Sequence, residues 1–229
     1  MFPFRDRLPS ATVPWVTYVL LTINVVAFLY EFTLGDGLTR FLDTWGVVPA
    51  RYAGTGPAGW LESPGPLLTS MFLHGGWLHL ILNMWYLWIF GDNVEDRVGH
   101  GRYLVLYLAC GLAATAAHVA ANPGSTLPTV GASGAIAGVL GAYLVTYPRA
   151  RVLTGIPVFV FIHLVELPAW MLLGMWFVLQ FLSGAAAISS TQVSAGGVAW
   201  WAHIGSFVAG MALMPLFRLG RPDRARRAG

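Results

Sequence analysis

The segment 129-TVGASGAIAGVLGAY-143 is a run of small apolar residues with one serine, Ser133, near its start. Gly134 and Gly138 are four residues apart, and Gly141 continues the same stripe. Small-residue faces of this kind let two helix backbones approach closely inside a membrane. The segment therefore predicts a helix packed tightly in a bundle. It also raises the question whether Ser133 is a packing residue or a reactive one.

The composition is that of a polytopic membrane protein. Hydrophobic residues make up 56% of the 229 residues, and Asp, Glu, Lys and Arg only 10%. Soluble domains carry about 25% charged residues, so this chain cannot cover a water-facing surface. The net charge of +3 is therefore not a nucleic-acid signal, and the single cysteine, Cys110, excludes a disulfide framework and a cysteine-based metal site. We expect no cofactor, no metal and no nucleic-acid partner.

Six segments predict membrane-spanning helices, because a helix needs about 20 mainly apolar residues to cross a bilayer. They are 14–33, 70–90, 102–121, 131–148, 168–187 and 198–217. We therefore expect an all-α, six-span bundle over 14–217. A short lead-in over 1–13 precedes it and an Arg-rich tail over 218–229 follows. The connection 34–69 is rich in Gly, Pro and Trp and is expected to dock at the membrane interface.

The arginines predict the orientation of the bundle. All 13 basic residues are arginines, and all except Arg40 and Arg51 fall in the lead-in, in the second and fourth connections or in the tail. Loops that carry such an excess of positive charge lie on the cytoplasmic side. Both termini are therefore expected in the cytoplasm, with the protein in a prokaryotic plasma membrane. The connections 34–69, 122–130 and 188–197 then face outward.

Four of the polar residues in the apolar segments stand out as candidates for function, because polar groups at membrane depth are unfavourable unless they have a role. They are His79, Asn83, Ser133 and His203. His79 and Asn83 are four residues apart, which puts both on one helix face. By the expected topology all four lie in the outer half of the bilayer. Close approach of the fourth and sixth segments would bring Ser133 within hydrogen-bond reach of His203.

This pattern predicts nucleophilic chemistry. A serine hydroxyl needs an adjacent base, and histidine is the usual one. The fourth and sixth segments contain no Asp or Glu, so a Ser133–His203 dyad is expected rather than a triad. His79, Asn83 and the backbone N–H of Ser133 can donate hydrogen bonds to a developing oxyanion.

Short motifs contain these residues. They are HxxxxHxxxN over 74–83, NVEDRVG over 93–99, GxSG over 131–134 and AHxxxxxxG over 202–210. In this order, over nearly the whole chain, they resemble the rhomboid intramembrane serine proteases. The resemblance implies a six-span bundle that cleaves transmembrane segments of other proteins near their outer ends, without metal or ATP. It implies Ser133 as nucleophile, His203 as general base, and His79, Asn83 and the Ser133 amide as the oxyanion site.

The resemblance also assigns supporting residues. They are His74, Gly131 and Gly134 beside the site, and Glu95 and Arg97 in a structural turn after the second span. Some family members carry an aromatic residue four positions after the nucleophile, packed on the histidine. That position is Ala137 here, so another ring, such as a tryptophan, has to pack there or the contact is absent. Trp176 and Phe177 could belong to a lateral gate, and the loop 188–197 is expected to cap the site.

Three other functions stay open at this point. A zinc metalloprotease would use His74, His79 and His203, but such sites also need an acid as general base, as in HExxH. A channel or transporter would be expected to show buried acids or broken-helix repeats, and we expect neither. A catalytically inactive rhomboid-like binding protein usually lacks the serine or the histidine, and both are present in this sequence.

Overall fold

The structure, a computed structural model, describes residues 2–158, 161–189 and 199–220. Its α-helices are α1 (Trp15–Thr33), α2 (Leu38–Trp45), α3 (Pro49–Tyr52), α4 (Gly56–Glu62), α5 (Pro64–Thr69), α6 (Trp77–Val98), α7 (His100–Ala121), α8 (Ser133–Thr146), α9 (Ala169–Ser189) and α10 (Trp200–Phe217). Its strands are β1 (Phe2–Asp6), β2 (Arg151–Val158) and β3 (Phe161–Pro168). The expected cap lies outside the described residues from 190 onward, and so does the tail from 221 onward.

Helix α8 is the central helix of the bundle. Its residues from Gly134 to Tyr143 are all buried, and α6, α7 and α10 surround it. Glycines set its distance from α10. A Cβ on Gly141 would collide with the carbonyl oxygen of Phe207, and one on Gly210 would collide with that of Gly138. The expected small-residue contact between the fourth and sixth segments is therefore present.

Two of the small residues face a different neighbour from the one expected. A Cβ on Gly134 would lie 2.6 Å from the Cβ of Ala114, and one on Gly205 would collide with Ala117. Both alanines belong to α7, so these glycines let α7 approach α8 and α10. The small residues thus allow close contacts among three helices, α7, α8 and α10. Their spacing in the sequence does not indicate which helix each residue faces.

The multi-pass helical architecture expected from the sequence is present, whereas the count of six spans stays a prediction. Among the described residues, four helices are long and apolar enough to cross a membrane by length and composition, namely α1, α7, α10 and residues Ala169–Ala186 of α9. Helix α8 has 14 residues, which is about 21 Å at about 1.5 Å per residue. That is shorter than the roughly 30 Å hydrocarbon core of a bilayer.

The second predicted span, 70–90, has the wrong boundaries. Helix α6 begins only at Trp77, after two glycines, and runs on to Val98 through a charged last stretch. The apolar run ends at these charged residues. The helix continues through them, because their side chains form hydrogen bonds with the N-terminal segment. Gly99, with φ of +85°, then ends the helix, in a backbone region that glycine adopts without strain.

The expectation of an all-α fold is wrong for three segments. The strands form one antiparallel sheet in the order β1-β2-β3. Strands β2 and β3 pair from Arg151↔Pro168 to Val158↔Phe161, and β1 pairs with the first half of β2. Residues 151–168 are rich in Val, Ile and Phe, which favour strands. A search for spanning runs passes over them, because each of these two strands has only 8 residues.

The arginine-bearing segments share one end of the bundle. Strand β1 lies beside β2, which follows α8 in the chain. Arg102, at the start of α7, donates to the carbonyl oxygens of Phe217 and Leu219 at 3.0 and 2.7 Å. The N-terminal strand, the start of α7 and the end of α10 therefore lie together, as the arginine pattern predicts.

The connection 34–69 covers the opposite end of the bundle. It forms the helices α2 to α5 after a 3-10 turn over Gly35–Gly37. Val47 exchanges two backbone hydrogen bonds, of 3.0 and 2.7 Å, with Thr129 in the loop before α8. Tyr52 and Leu67 are buried against Val119 of α7. This connection therefore packs around the end at which Ser133 lies.

Candidate active site

Ser133 and His203 meet at the end of the bundle away from most of the arginines. Ser133 is the first residue of α8, and His203 lies in the first turn of α10. Ser133 Oγ and His203 Nε2 form a hydrogen bond of 2.8 Å. His203 is only 7% exposed. A histidine at this distance can accept the serine proton, so the pair has the geometry of a nucleophile and its general base.

Helix α9 holds the other side of the His203 ring. The Trp176 ring centroid lies 5.9 Å from that of the imidazole, with 35° between the ring planes. Gln180 Oε1 lies 2.7 Å from His203 Nδ1. Trp176 therefore packs on His203 as an aromatic ring. Some family members place that ring four positions after the nucleophile, where this chain has Ala137. Sequence reasoning named Trp176 only as a gate candidate and missed Gln180.

Gly131 brings His79 close to Ser133. A Cβ on Gly131 would lie 2.7 Å from His79 Nε2 and 3.5 Å from Ser133 Oγ. The φ of Gly131 is +136°, which side chains disfavour. The loop before α8 thus needs a glycine here for its backbone conformation and for the space that His79 occupies.

His79 and Asn83 are placed to donate hydrogen bonds. The backbone N–H of Gly75 donates to His79 Nδ1 at 3.4 Å, so Nδ1 is an acceptor and Nε2 carries the proton. Asn83 is 6% exposed, and its Nδ2 has no hydrogen-bond partner among the described residues. A buried donor without a partner is unfavourable in the resting protein. It is the arrangement that a site for a developing negative charge would hold ready.

The start of α8 adds backbone donors. The first N–H groups of a helix have no partner within it, and they carry a partial positive charge. Ser133 supplies the first of these groups, because α8 begins at this residue. The serine hydroxyl and any oxyanion beside it therefore lie at the positive end of a buried helix.

A buried carboxylate lies behind the site, and the expectation of no buried acid is wrong. Glu31, near the end of α1, is 1% exposed and accepts from the backbone N–H of His74 at 3.2 and 3.1 Å. The ring of His74 lies 5.1 Å from that of His79. Glu31 and His74 thus support the loop before α6 and the ring of His79. A lone glutamate near the end of an apolar run was the signal that sequence reasoning passed over.

The expected turn at Glu95 and Arg97 is helical, because both residues lie within α6 before Gly99. Glu95 is fully buried and accepts from the backbone N–H groups of Val16 and Thr17 at 2.8 and 2.7 Å. It therefore caps the first turn of α1 from a neighbouring helix. This contact is structural and lies at the end of the bundle away from Ser133.

His118, to which sequence reasoning gave no role, holds the loop before α8. Its Nε2 lies 2.8 Å from the Thr129 hydroxyl.

Within the parts of the chain that the structure describes, no group of three or more His, Cys, Asp or Glu side chains could hold a metal ion. The two ring nitrogens of His203 bond to Ser133 and Gln180.

A family model of the rhomboid domain matches residues 62–219 of this chain. The chain belongs to the rhomboid family. The matched rhomboid region includes α6 to α10, and therefore every side chain that forms the Ser133–His203 site. It leaves out α1, β1 and most of the connection over 34–69.

Named relatives share this region over part of their length. Rhomboid protease GluP of Bacillus subtilis (strain 168) is 36% identical over 132 residues, which are 57% of this chain and 24% of GluP. Rhomboid protein 1, mitochondrial, of Saccharomyces cerevisiae is 29% identical over 143 residues, 60% of this chain and 38% of the relative. Putative rhomboid protease YdcA of Bacillus subtilis is 29% identical over 131 residues, 57% of this chain and 61% of the relative.

The chain spans less than two thirds of the length of each of these relatives. GluP and YdcA are bacterial proteins, whereas rhomboid protein 1 of yeast is named as mitochondrial. The relatives therefore support a multi-pass membrane protein, and they do not favour a prokaryotic plasma membrane over a mitochondrial one.

Proposed function

We propose that this chain is an intramembrane serine endopeptidase that cleaves transmembrane segments of other membrane proteins near their outer ends. The observation that carries the proposal is the 2.8 Å hydrogen bond between Ser133 Oγ and His203 Nε2. Membership of a family in which relatives such as GluP are named proteases supports it. The substrates and the lipid bilayer are the partners in this proposal, and no metal or nucleic acid takes part.

The reaction proceeds by acyl transfer to Ser133. Its Oγ attacks the scissile carbonyl carbon while the hydroxyl proton passes to His203 Nε2. The C–N bond then breaks, and the amine leaves with the proton from Nε2, so that an ester stays on the serine. Water then loses a proton to the same nitrogen and attacks the ester carbon, the bond from that carbon to Ser133 Oγ breaks, the acid leaves, and Nε2 returns its proton to Ser133 Oγ. Water must therefore reach this end of the bundle.

The oxyanion that forms during both steps needs donors. His79 Nε2–H, Asn83 Nδ2 and the Ser133 amide are proposed to supply them, because fixed donors at such a site stabilise developing charge. His74, Gly131 and Gly134 are proposed as supporting residues. His74 packs on His79, and the two glycines allow the close approaches described above.

The six-span topology, with both termini in the cytoplasm, is part of the proposal. Four helices satisfy the length and composition of a span, and α6 and α8 are proposed as the other two. The grouping of the arginine-bearing segments at one end supports the orientation. The loop 188–197 is proposed as a cap, and the tail 218–229 as a contact to anionic lipid.

Cleavage of a single-span substrate by the purified protein in detergent tests the proposal. We expect cleavage by the wild type, none by Ser133→Ala, and no effect of a metal chelator. Cleavage that persists in Ser133→Ala would contradict the assignment of the nucleophile. Inhibition by the chelator would favour the metalloprotease alternative. No cleavage by either form, across several substrates, would favour an inactive protein that binds its membrane partners.

A further inference from the structure

We propose that Gln180 is a positioning residue for His203, so that the proposed dyad works with a third, uncharged member on α9. The inference deepens the proposed function and rests on it for the catalytic consequence. Its structural part, that Gln180 selects one tautomer of His203, can be tested without any proteolysis.

The contact geometry carries the first step. Gln180 Oε1 lies 2.7 Å from His203 Nδ1, while Nε2 of the same ring lies 2.8 Å from Ser133 Oγ. The three side chains come from α9, α10 and α8, and they form an unbroken chain of hydrogen bonds. Trp176, one helical turn before Gln180, packs on the same imidazole. Helix α9 therefore fixes the position of the His203 ring and also supplies the partner of its Nδ1.

The proton arrangement carries the second step. A neutral imidazole has one proton, on Nδ1 or on Nε2. Only the form with the proton on Nδ1 leaves Nε2 free to accept from the Ser133 hydroxyl. With Oε1 facing Nδ1, Gln180 accepts from Nδ1–H and selects this form, whereas its NH2 group turned toward the same nitrogen would select the other form, so the tautomer also reports the orientation of the amide. Without that acceptor the buried Nδ1–H would have no partner, which is unfavourable.

The membrane setting explains why an amide stands at this place. A carboxylate is the usual group that orients a catalytic histidine, but an ionised side chain inside a bilayer is strongly disfavoured. Glutamine supplies a carbonyl acceptor without a charge. The neighbouring side chains Leu179 and Phe181 are 56% and 48% exposed on the outer face of α9, so Gln180 turns inward where its neighbours do not.

Three variants of the full-length protein separate positioning from packing. Gln180→Met keeps the length of the side chain and removes the acceptor. Gln180→Glu keeps an acceptor oxygen in the neutral, protonated form that the membrane setting favours. Leu179→Met is the matched control on the exposed face. For Gln180→Met we expect kcat to fall about 10- to 100-fold with little change in KM, because the wrong tautomer slows the chemical step and not binding. Gln180→Glu should recover most of kcat, and Leu179→Met should match the wild type.

Two results would overturn the inference: wild-type kcat in Gln180→Met, or a Gln180→Glu variant as slow as Gln180→Met. Unfolding in denaturing detergent checks that each variant is folded. A role limited to holding α9 against α10 would lower stability in both Gln180 variants and would not give rescue by glutamate.

The tautomer itself is measured by nitrogen NMR of histidine-labelled protein, with His203→Gln to identify the signals. We expect a protonated Nδ1 and an unprotonated Nε2 in the wild type, and a growing share of the Nε2–H form in Gln180→Met. Identical spectra would overturn the inference. If instead the wild type cleaves no better than Ser133→Ala, the proposed function fails, while the spectra still decide the role of Gln180.

Discussion

Asn83 allows a direct test of whether a polar residue in α6 serves chemistry or packing. Its Nδ2 is buried without a partner among the described residues, so it gives no hydrogen bond to the resting protein. We expect Asn83→Leu to lower kcat about 10²- to 10³-fold, as the loss of an oxyanion donor does. The free energy of unfolding should be unchanged or slightly higher, because an unpaired polar group is replaced by an apolar one of similar size.

Kinetics and unfolding in denaturing detergent, measured on the same preparation, check this prediction. Interhelical hydrogen bonding by Asn83 would give the opposite pattern, with lost stability and near-normal kcat. Leu82→Met is a suitable control, because Leu82 is the preceding residue and is 39% exposed.

His203 should give the activity a simple pH dependence. A general base must be unprotonated to accept a proton, so the rate is expected to fall at acidic pH as His203 becomes charged. Measuring kcat/KM from about pH 3 to pH 8 checks this, because that range covers the ordinary titration of histidine and the acidic side of it. A flat profile would remove His203 from the role of base. Parallel unfolding measurements exclude acid denaturation as the cause.

At the scale of elements, the contact between α8 and α10 positions the site, and glycines set its spacing. A Cβ on Gly141 or Gly210 would meet backbone atoms of the facing helix, which cannot move without shifting the helix. We expect Gly141→Ala to destabilise the protein by about 1–3 kcal/mol, as overpacking does. Cleavage should fall as well, because Ser133 and His203 would be held apart.

Gly174→Ala on α9 is the matched control, because nothing lies within 4 Å of a Cβ at that position. It should leave both unfolding and cleavage near their wild-type values. Equal losses in Gly141→Ala and Gly174→Ala would contradict the role of the α8–α10 spacing, because the gain in helix propensity from glycine to alanine is common to both variants and cannot lower stability.

Some elements could be predicted from the sequence for a clear physical reason. Ser133 and His203 stand out against apolar surroundings, and the small residues around them mark the helices that must touch. The contact of Gln180 with His203 could not be predicted, because α9 is apolar on nearly all sides and its sequence does not indicate which face meets α10. The sheet was missed because strands of eight residues leave no trace in a search for membrane spans. The end of α6 was missed because its charges find partners in a distant segment.

At the scale of the whole molecule, the two ends of the bundle have different tasks. The end with Ser133 holds the reactive groups, and the other end holds the polar contacts that join the chain termini to the helices. Asp6 of β1 is central to these contacts. Its Oδ2 accepts from Asn93 Nδ2 at 2.8 Å and from the Tyr143 hydroxyl at 2.7 Å. One carboxylate thus links the N-terminal strand to α6 and to the central helix that begins at Ser133.

This carboxylate should make the stability of the protein depend on pH. Burial raises the pKa of Asp6 from 3.8 to about 7, with the Asp92 carboxylate adding to the rise and the Tyr143 hydrogen bond opposing it. Between these values the folded state holds a proton that the unfolded state has lost. The stabilisation is therefore complete below about pH 4 and is lost as the pH rises through about 7.

Asp6→Asn removes the titration while keeping the size and the hydrogen-bonding side chain. We expect the free energy of unfolding of this variant, relative to the wild type, to be higher at about pH 8 than at about pH 5, because only the wild type then carries a partly buried charge. Unfolding in denaturing detergent at both pH values measures the difference. The same difference at both pH values would mean that Asp6 is already ionised in the folded protein at about pH 5. The Asp36→Asn variant, changed at an exposed position in the connection after α1, is the matched control.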